Sequence, residues 1–150
     1  MNTHIKTLLL CLVIFGCSKP DIAIHNGKGI FYQDTIGSWV VINYWADWCA
    51  PCIKEIPEIA TFAKENKDKQ VYAFNFDRVE GEELTELIDK FGIEYPSLLT
   101  HPKTYWDIPT PKTLPATFII DESGELIKSF LIPVSKEDLE NFFLEIEKLF

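Results

Sequence analysis

Three shortages narrow what this chain does. Positive charge is scarce: 14 Lys and Arg stand against 23 Asp and Glu, a formal charge of −9 over 150 residues. That balance argues against nucleic acid and against an anionic lipid surface as electrostatic partners. There is no second Cys-x-x-Cys and no closely spaced histidine pair, so the four ligands of a structural zinc are missing and no metal or other cofactor is expected. The N-terminal apolar run, Leu8 to Phe15, has eight residues, well short of the roughly 20 needed to span a bilayer. Internal repeats and low-complexity tracts are also lacking, which leaves one ordinary globular domain.

What is present fits that class. Apolar residues make up 47% and aromatics 13% of the chain, enough for a core without disulfide staples. Lys6 followed by Leu8–Phe15 has the form of a secretory signal. The run ends in Ile14-Phe15-Gly16-Cys17, which resembles a bacterial lipobox. That resemblance implies cleavage after Gly16 and diacylglycerol on the Cys17 sulfur. The expected layout is a signal at 1–16, a lipidated tether at 17–27 and a domain at 28–150. Ser18, rather than an aspartate, follows Cys17 and favours the outer over the inner membrane. Of the four cysteines, Cys11 leaves with the signal and Cys17 is acylated. Cys49 and Cys52 remain, so there is no structural disulfide framework, and the pair is available for chemistry.

Those two cysteines sit in Trp45-Ala46-Asp47-Trp48-Cys49-Ala50-Pro51-Cys52, between an apolar run (Trp39–Tyr44) and a helical pattern from Ile53. A strand-to-helix junction puts the first sulfur where free N–H groups and the positive end of the helix dipole meet. Thiolate is favoured there, which makes Cys49 a nucleophile. Pro51 lacks an N–H and restricts the loop between the cysteines.

Along the chain, Gly29–Gln33 and Trp39–Trp45 read as strands, and a helix runs from Cys49 to Asn66, interrupted at Pro57. Val71–Asp77 is a buried strand. Glu82–Phe91 is an amphipathic helix closed by Gly92. A short strand at Ser97–Thr100 and a proline-rich loop through Pro102, Pro109, Pro111 and Pro115 follow. Ala116–Asp121 and Leu126–Ile132 form a hairpin around Glu122–Glu125. Ser135 and Asp138 cap a last helix whose stripe is Leu139, Phe142, Phe143, Ile146 and Leu149. Helical crossovers combined with a terminal hairpin require a mixed sheet.

The motif block, with Glu55, Pro57 and the later Leu114-Pro115-Ala116-Thr117-Phe118-Ile119-Ile120-Asp121, resembles the thioredoxin fold over residues 28 to 150. Within it, the chain is similar to the TlpA/ResA/CcmG-like membrane-tethered thioredoxins. The resemblance implies an α/β fold: a mixed central sheet flanked by helices, with an N-terminal β extension and a central insertion. It implies Cys49 as attacking sulfur, Cys52 as resolving sulfur, and Pro115 as a cis-proline facing the dithiol beside Leu114. Asn43 stands where cytoplasmic thioredoxins carry a buried aspartate, and Glu55 matches the glutamate of the tethered branch. Glu55 lies three residues past Cys52 on one helix face, within reach of its proton. Trp45 and Trp48 are expected as packing residues that shield the dithiol.

The expected activity is thiol–disulfide exchange in the cell envelope, reducing exported proteins such as apo-cytochrome c. The residues alone leave reduction or oxidation open. Expected partners are disulfide-containing exported clients, a membrane electron-donor thiol protein and the bilayer through Cys17, for a protein that is itself monomeric. Two alternatives stand beside this reading. One is a non-catalytic binding or chaperone module. The other is copper delivery through Cys49, Cys52 and His101, His25 being the other histidine of the mature chain.

Overall fold

The computed structural model describes residues 19–149; the expected signal at 1–16 and Cys17 lie outside the described residues. Its centre is β1 (Val40–Trp45), a VVINYW run in which every residue is buried. A run of this kind needs cover on both faces, which a central strand receives. β2 (Gln70–Asn75) pairs with β1 in parallel, Val40 opposite Gln70 and Trp45 opposite Asn75. β3 (Ser97–Leu98) continues in parallel on the far edge of β2. On the other side of β1, β4 (Ala116–Ile120) runs antiparallel, Tyr44 opposite Ala116, and β5 (Leu126–Phe130) returns antiparallel to β4. The order β3-β2-β1-β4-β5 is the expected mixed sheet.

The helices are α1 (Ala50–Glu65), α2 (Gly81–Phe91) and α3 (Lys136–Glu147). Alternation along β1 sends Val41 and Trp45 to one face, into a core with Ile56 of α1, Leu84 of α2 and Leu139 of α3. Val40, Ile42 and Tyr44 point to the other face, into a second core that contains no residue of these helices. The chain steps in one direction from β1 to β2 to β3, and right-handed crossovers therefore put α1 and α2 on the same side. The opposite face is covered by the N-terminal segment and the central insertion. Ile22 is fully buried, Trp106 is 1% exposed and Ile108 is 4% exposed.

Several expectations change. Gly29–Gln33 is not a strand: Ile30 makes a single bridge to Ile22, and Tyr32–Thr35 is a 3-10 turn. Gly29 has φ +72, and a Cβ there would meet the Ile22 carbonyl oxygen at 2.8 Å, so the backbone leaves the extended region at that point. Ile22 and Ile24, within the expected tether, bridge to Ile30 and Leu98 and join the fold. α1 is not interrupted at Pro57, which removes only the helical partner of the Ile53 carbonyl. β5 ends at Phe130, and Leu149 lies past α3 at 75% exposure, outside the apolar stripe. The Ser135–Asp138 capping box forms as expected, and Gly92 closes α2 at φ +65. Among the described residues no helix is long and apolar enough to cross a membrane.

Trp106 covers a face that no helix reaches, so its removal opens a cavity. Trp106→Ala is expected to lower the unfolding free energy by about 3–5 kcal/mol in urea titration. Leu144→Ala, at a half-exposed position on α3, is expected to change it by less than about 0.5 kcal/mol. Equal effects would show that the insertion is not part of the core.

Candidate active site

β1 ends at Trp45, and a tight turn returns the Cys49 N–H to the Ala46 carbonyl at 3.1 Å. Cys49 is thereby the N-cap of α1, not its first helical residue. Its Sγ accepts a hydrogen bond from the Cys52 N–H at 3.3 Å. The two sulfurs form a disulfide, with S–S 2.01 Å and Cα–Cα 5.2 Å. Once that bond is reduced, the same N–H groups and the helix dipole favour negative charge on the Cys49 sulfur. Cys49 is 4% exposed and Cys52 fully buried, so the outer sulfur is the one a client reaches. Pro51 occupies the first turn, exposed, where an N–H would have had no helical acceptor.

Pro115 is buried immediately before β4 and follows a cis Leu114–Pro115 bond. Because Ala116 stands opposite Tyr44, Pro115 lies one step further, at the level of Trp45 and the dithiol turn. Leu114 is half-buried against both cores. Trp45 is fully buried with its ring edge-on to Phe91. Trp48 lies at the surface. It is 63% exposed, its Nε1–H donates to Asp77 Oδ2 at 2.7 Å, and it meets Phe76 edge-on. It therefore presents an aromatic surface beside the dithiol and is not a core residue.

Glu55 is only 2% exposed. Its Oε1 accepts from the Asn43 amide at 2.7 Å and its Oε2 from the Val134 N–H at 2.9 Å. Burial pushes its pKa up to about 7, against the lowering effect of those two donors. Asn43 in turn donates to the Thr117 hydroxyl at 3.2 Å and accepts from the Tyr95 hydroxyl at 3.0 Å. A cleft of about 310 Å³, lined by Lys54, Glu55, Glu58 and the Pro133–Ser135 loop, opens beside the carboxyl.

His101 joins no metal set. Its ring packs on Phe74 at 5.0 Å and Tyr44 at 6.3 Å, and its Nδ1 accepts from the Lys103 N–H to cap a 3-10 turn. Burial, with Lys103 and Arg78 nearby, holds its pKa below the usual histidine value. His25 bonds to Thr85 instead. Among the described residues no three His, Cys, Asp or Glu side chains are placed to hold a metal ion, so the ligand set of the copper alternative is not assembled. Sequence reasoning placed Asn43 only as a replacement for an acid. It missed Tyr95 and the Val134 N–H, which lie 52 residues from Asn43 and 79 from Glu55 respectively, with no local pattern to mark them.

The family model described as AhpC/TSA matches residues 16–129. The chain is 30% identical over 138 residues to the thiol-disulfide oxidoreductase ResA of Bacillus thuringiensis subsp. konkukian (strain 97-27), covering 87% of this chain and 78% of the relative. It is 30% identical over 130 residues to the thioredoxin-like protein YneN of Bacillus subtilis (strain 168), covering 83% and 76%. A solved DsbF homologue from Corynebacterium diphtheriae superposes with TM-score 0.67 at 21% identity over 83% of each chain, a likeness of fold alone.

The raised Glu55 pKa fixes a pH dependence of stability. Its folded value is about 7 against an ordinary glutamate value of 4.5, so the native state binds the extra proton between them. The stabilisation is fully present below about 4.5 and is lost as pH rises through 7. Wild type is expected to lose on the order of 3 kcal/mol of unfolding free energy between pH 4.5 and 8 from this group. In Glu55→Gln this component is absent, and the two proteins' urea midpoints, measured with the disulfide intact, converge towards low pH. Parallel midpoint curves would remove Glu55 as the source.

Proposed function

The chain belongs to the AhpC/TSA family, as a thioredoxin-like thiol–disulfide oxidoreductase of the ResA/CcmG type, and from that premise we propose that it reduces disulfides of exported proteins. The observation that carries the reading is one helix bearing Cys49 at its N-cap, buried Cys52 one turn on, and buried Glu55 one turn further. Cys49 thiolate attacks one sulfur of a client disulfide, forming a mixed disulfide and releasing the other sulfur as a thiolate. Cys52, as a buried thiol, resists ionisation. Glu55 in its carboxylate form takes the Cys52 proton. The Cys52 thiolate then attacks the Cys49 sulfur, which closes the internal disulfide and expels the second client thiolate. Two electrons pass from the dithiol to the client, and the proton on Glu55 leaves by the cleft beside it.

The finer assignments belong to the same proposal. Client main chain docks against the edge at Leu114–Pro115, with Trp48 as an aromatic neighbour. A membrane thiol protein returns the Cys49/Cys52 pair to the dithiol. The lipobox-like Ile14–Cys17 supports a lipid anchor on Cys17 in the cell envelope, and Ser18 favours the outer membrane.

The deciding measurement is the reduction potential of the Cys49/Cys52 couple. A value near about −270 mV places the protein with reductants, whereas one near about −120 mV marks an oxidant and overturns the direction. Cys49→Ser is expected to abolish exchange with a disulfide client; retained turnover would remove it as the nucleophile. Glu55→Gln is expected to slow resolution of the mixed disulfide by about 10²-fold and to flatten its rise near pH 7. An unchanged pH profile would sink the proton-acceptor role while leaving the dithiol chemistry in place.

A further inference from the structure

Asn43 touches every other polar side chain in the buried cluster around Glu55: the carboxyl itself, the Thr117 hydroxyl and the Tyr95 hydroxyl. All four residues are at most 5% exposed, so each unpaired donor or acceptor there carries a desolvation cost. The present arrangement suits a charged carboxylate. Asn43 Nδ2–H donates to Glu55 Oε1 and to Thr117, and Tyr95 O–H donates to Asn43 Oδ1. A protonated Oε1 would point its hydrogen at another donor.

We propose that the Asn43 carboxamide is a reversible hydrogen-bond switch that turns over with the protonation of Glu55, making Asn43 a positioning residue for proton transfer. This deepens the proton-acceptor reading of Glu55 and rests on it. An amide carries a donor and an acceptor in nearly the same shape, so a half-turn about its last bond exchanges them without moving the cluster. After the turn, Oδ1 faces the carboxyl and accepts from the protonated Oε1. Thr117 reverses its hydroxyl and donates to the same Oδ1. Nδ2–H now donates to the Tyr95 oxygen.

The number of hydrogen bonds within the cluster is three in both states. One hydroxyl proton is idle in each, that of Thr117 before the turn and that of Tyr95 after it. The Val134 N–H only donates, so Oε2 remains an acceptor throughout, and Oε1 is the oxygen whose proton finds a partner. Aspartate at position 43 cannot do this, since its carboxylate has no hydrogen to give to a charged Glu55. Leucine serves neither state.

The groups facing Glu55 come from every element around it. Cys52, Lys54 and Glu58 are on α1 and Tyr95 lies on the approach to β3. The Val134 loop carries no charge, and Asp138 stands on α3 across the cleft. Lys54, Glu58 and Asp138 line the same open cleft, where water screens them. The direct contacts with Asn43 and Val134 therefore set the hydrogen-bond order.

The test is proton NMR on the full reduced chain, with the Asn43 side-chain amide and the Glu55 carboxyl carbon both labelled. Above the Glu55 midpoint the amide protons are expected to show cross-relaxation to the Thr117 and Glu55 side chains. Below it they are expected to show cross-relaxation to the Tyr95 ring, with the same midpoint as the carboxyl carbon. An amide that keeps one set of contacts while the carboxyl titrates overturns the switch and leaves the proton-acceptor reading standing. A carboxyl that does not titrate between pH 5 and 9 overturns both. In turnover, Asn43→Leu is expected to raise the midpoint of the pH–rate profile by about one unit, about a fivefold loss of ionised Glu55 at pH 7. A lower rate with an unmoved midpoint would assign Asn43 a packing role only and overturn the proposal.

Discussion

A carboxyl group placed where water is nearly excluded sets the geometry of the dithiol end. Burying a charge is tolerated only when it is hydrogen-bonded from fixed positions. Glu55 meets that condition by drawing donors from β1 and from the loop before α3, while Thr117 and Tyr95 hold the β1 donor in place. Four separated pieces of chain thus converge around one side chain of α1. The rotation of that helix about its axis is fixed as a result, and with it the inward direction of Cys52 and the outward direction of Cys49. An apolar residue at this position alone would leave the buried Asn43 amide and Val134 N–H without their acceptor, at a desolvation cost for each.

The central strand and the dithiol turn were legible because their signals are local. VVINYW is an apolar run broken only by Asn43, Cys-x-x-Cys opens a helical pattern, and Ser135 with Asp138 caps another. Glu55 was legible as a position, since three residues along a helix from Cys52 is a one-dimensional fact. Its environment was not, because Tyr95 and Val134 reach it from distant parts of the chain, and nothing near them in sequence records that contact. Gly29–Gln33 misled for a related reason. Its composition suits a strand, but the conformation of Gly29 and its close approach to Ile22 are set by a partner segment that periodicity cannot see. The surface position of Trp48 was not legible either, because it depends on a hydrogen bond to Asp77, 29 residues away.

The helix-free face shows how the fold manages with few elements. A sheet buried on both sides needs two covers, and α1, α2 and α3 supply one. On the other side Trp106 and Ile108 of the insertion and Ile22 of the N-terminal segment do the work of a helix with single large side chains. Loops of this kind satisfy their backbone polar groups less economically than a helix, which is why the prolines of the insertion fit: each removes one N–H that would otherwise need a partner. The insertion also ends at Leu114–Pro115, so the segment that covers the second core delivers the site's edge to the level of the dithiol.

Cys49, Cys52 and Glu55 form a ladder along α1. Steps of three residues advance about 4.5 Å and fall short of a full turn by about 60°, so the three groups stay within one stripe of the helix. The ladder begins at a rim bounded by exposed Trp48 and Pro51 and ends in a buried polar cluster beside an open cleft. Exchange chemistry needs both environments. The attacking sulfur of such a dithiol must meet a protein client in water, while the resolving sulfur must keep its proton until an acceptor takes it. A single rigid helix supplies that gradient with no moving part, and its N-terminal donors favour charge at the outer sulfur where the first attack occurs. The spacing Cys-x-x-Cys-x-x-Glu is therefore a statement about depth as well as about sequence: one turn separates the outer cysteine from the buried one, and one more separates that cysteine from the buried carboxyl.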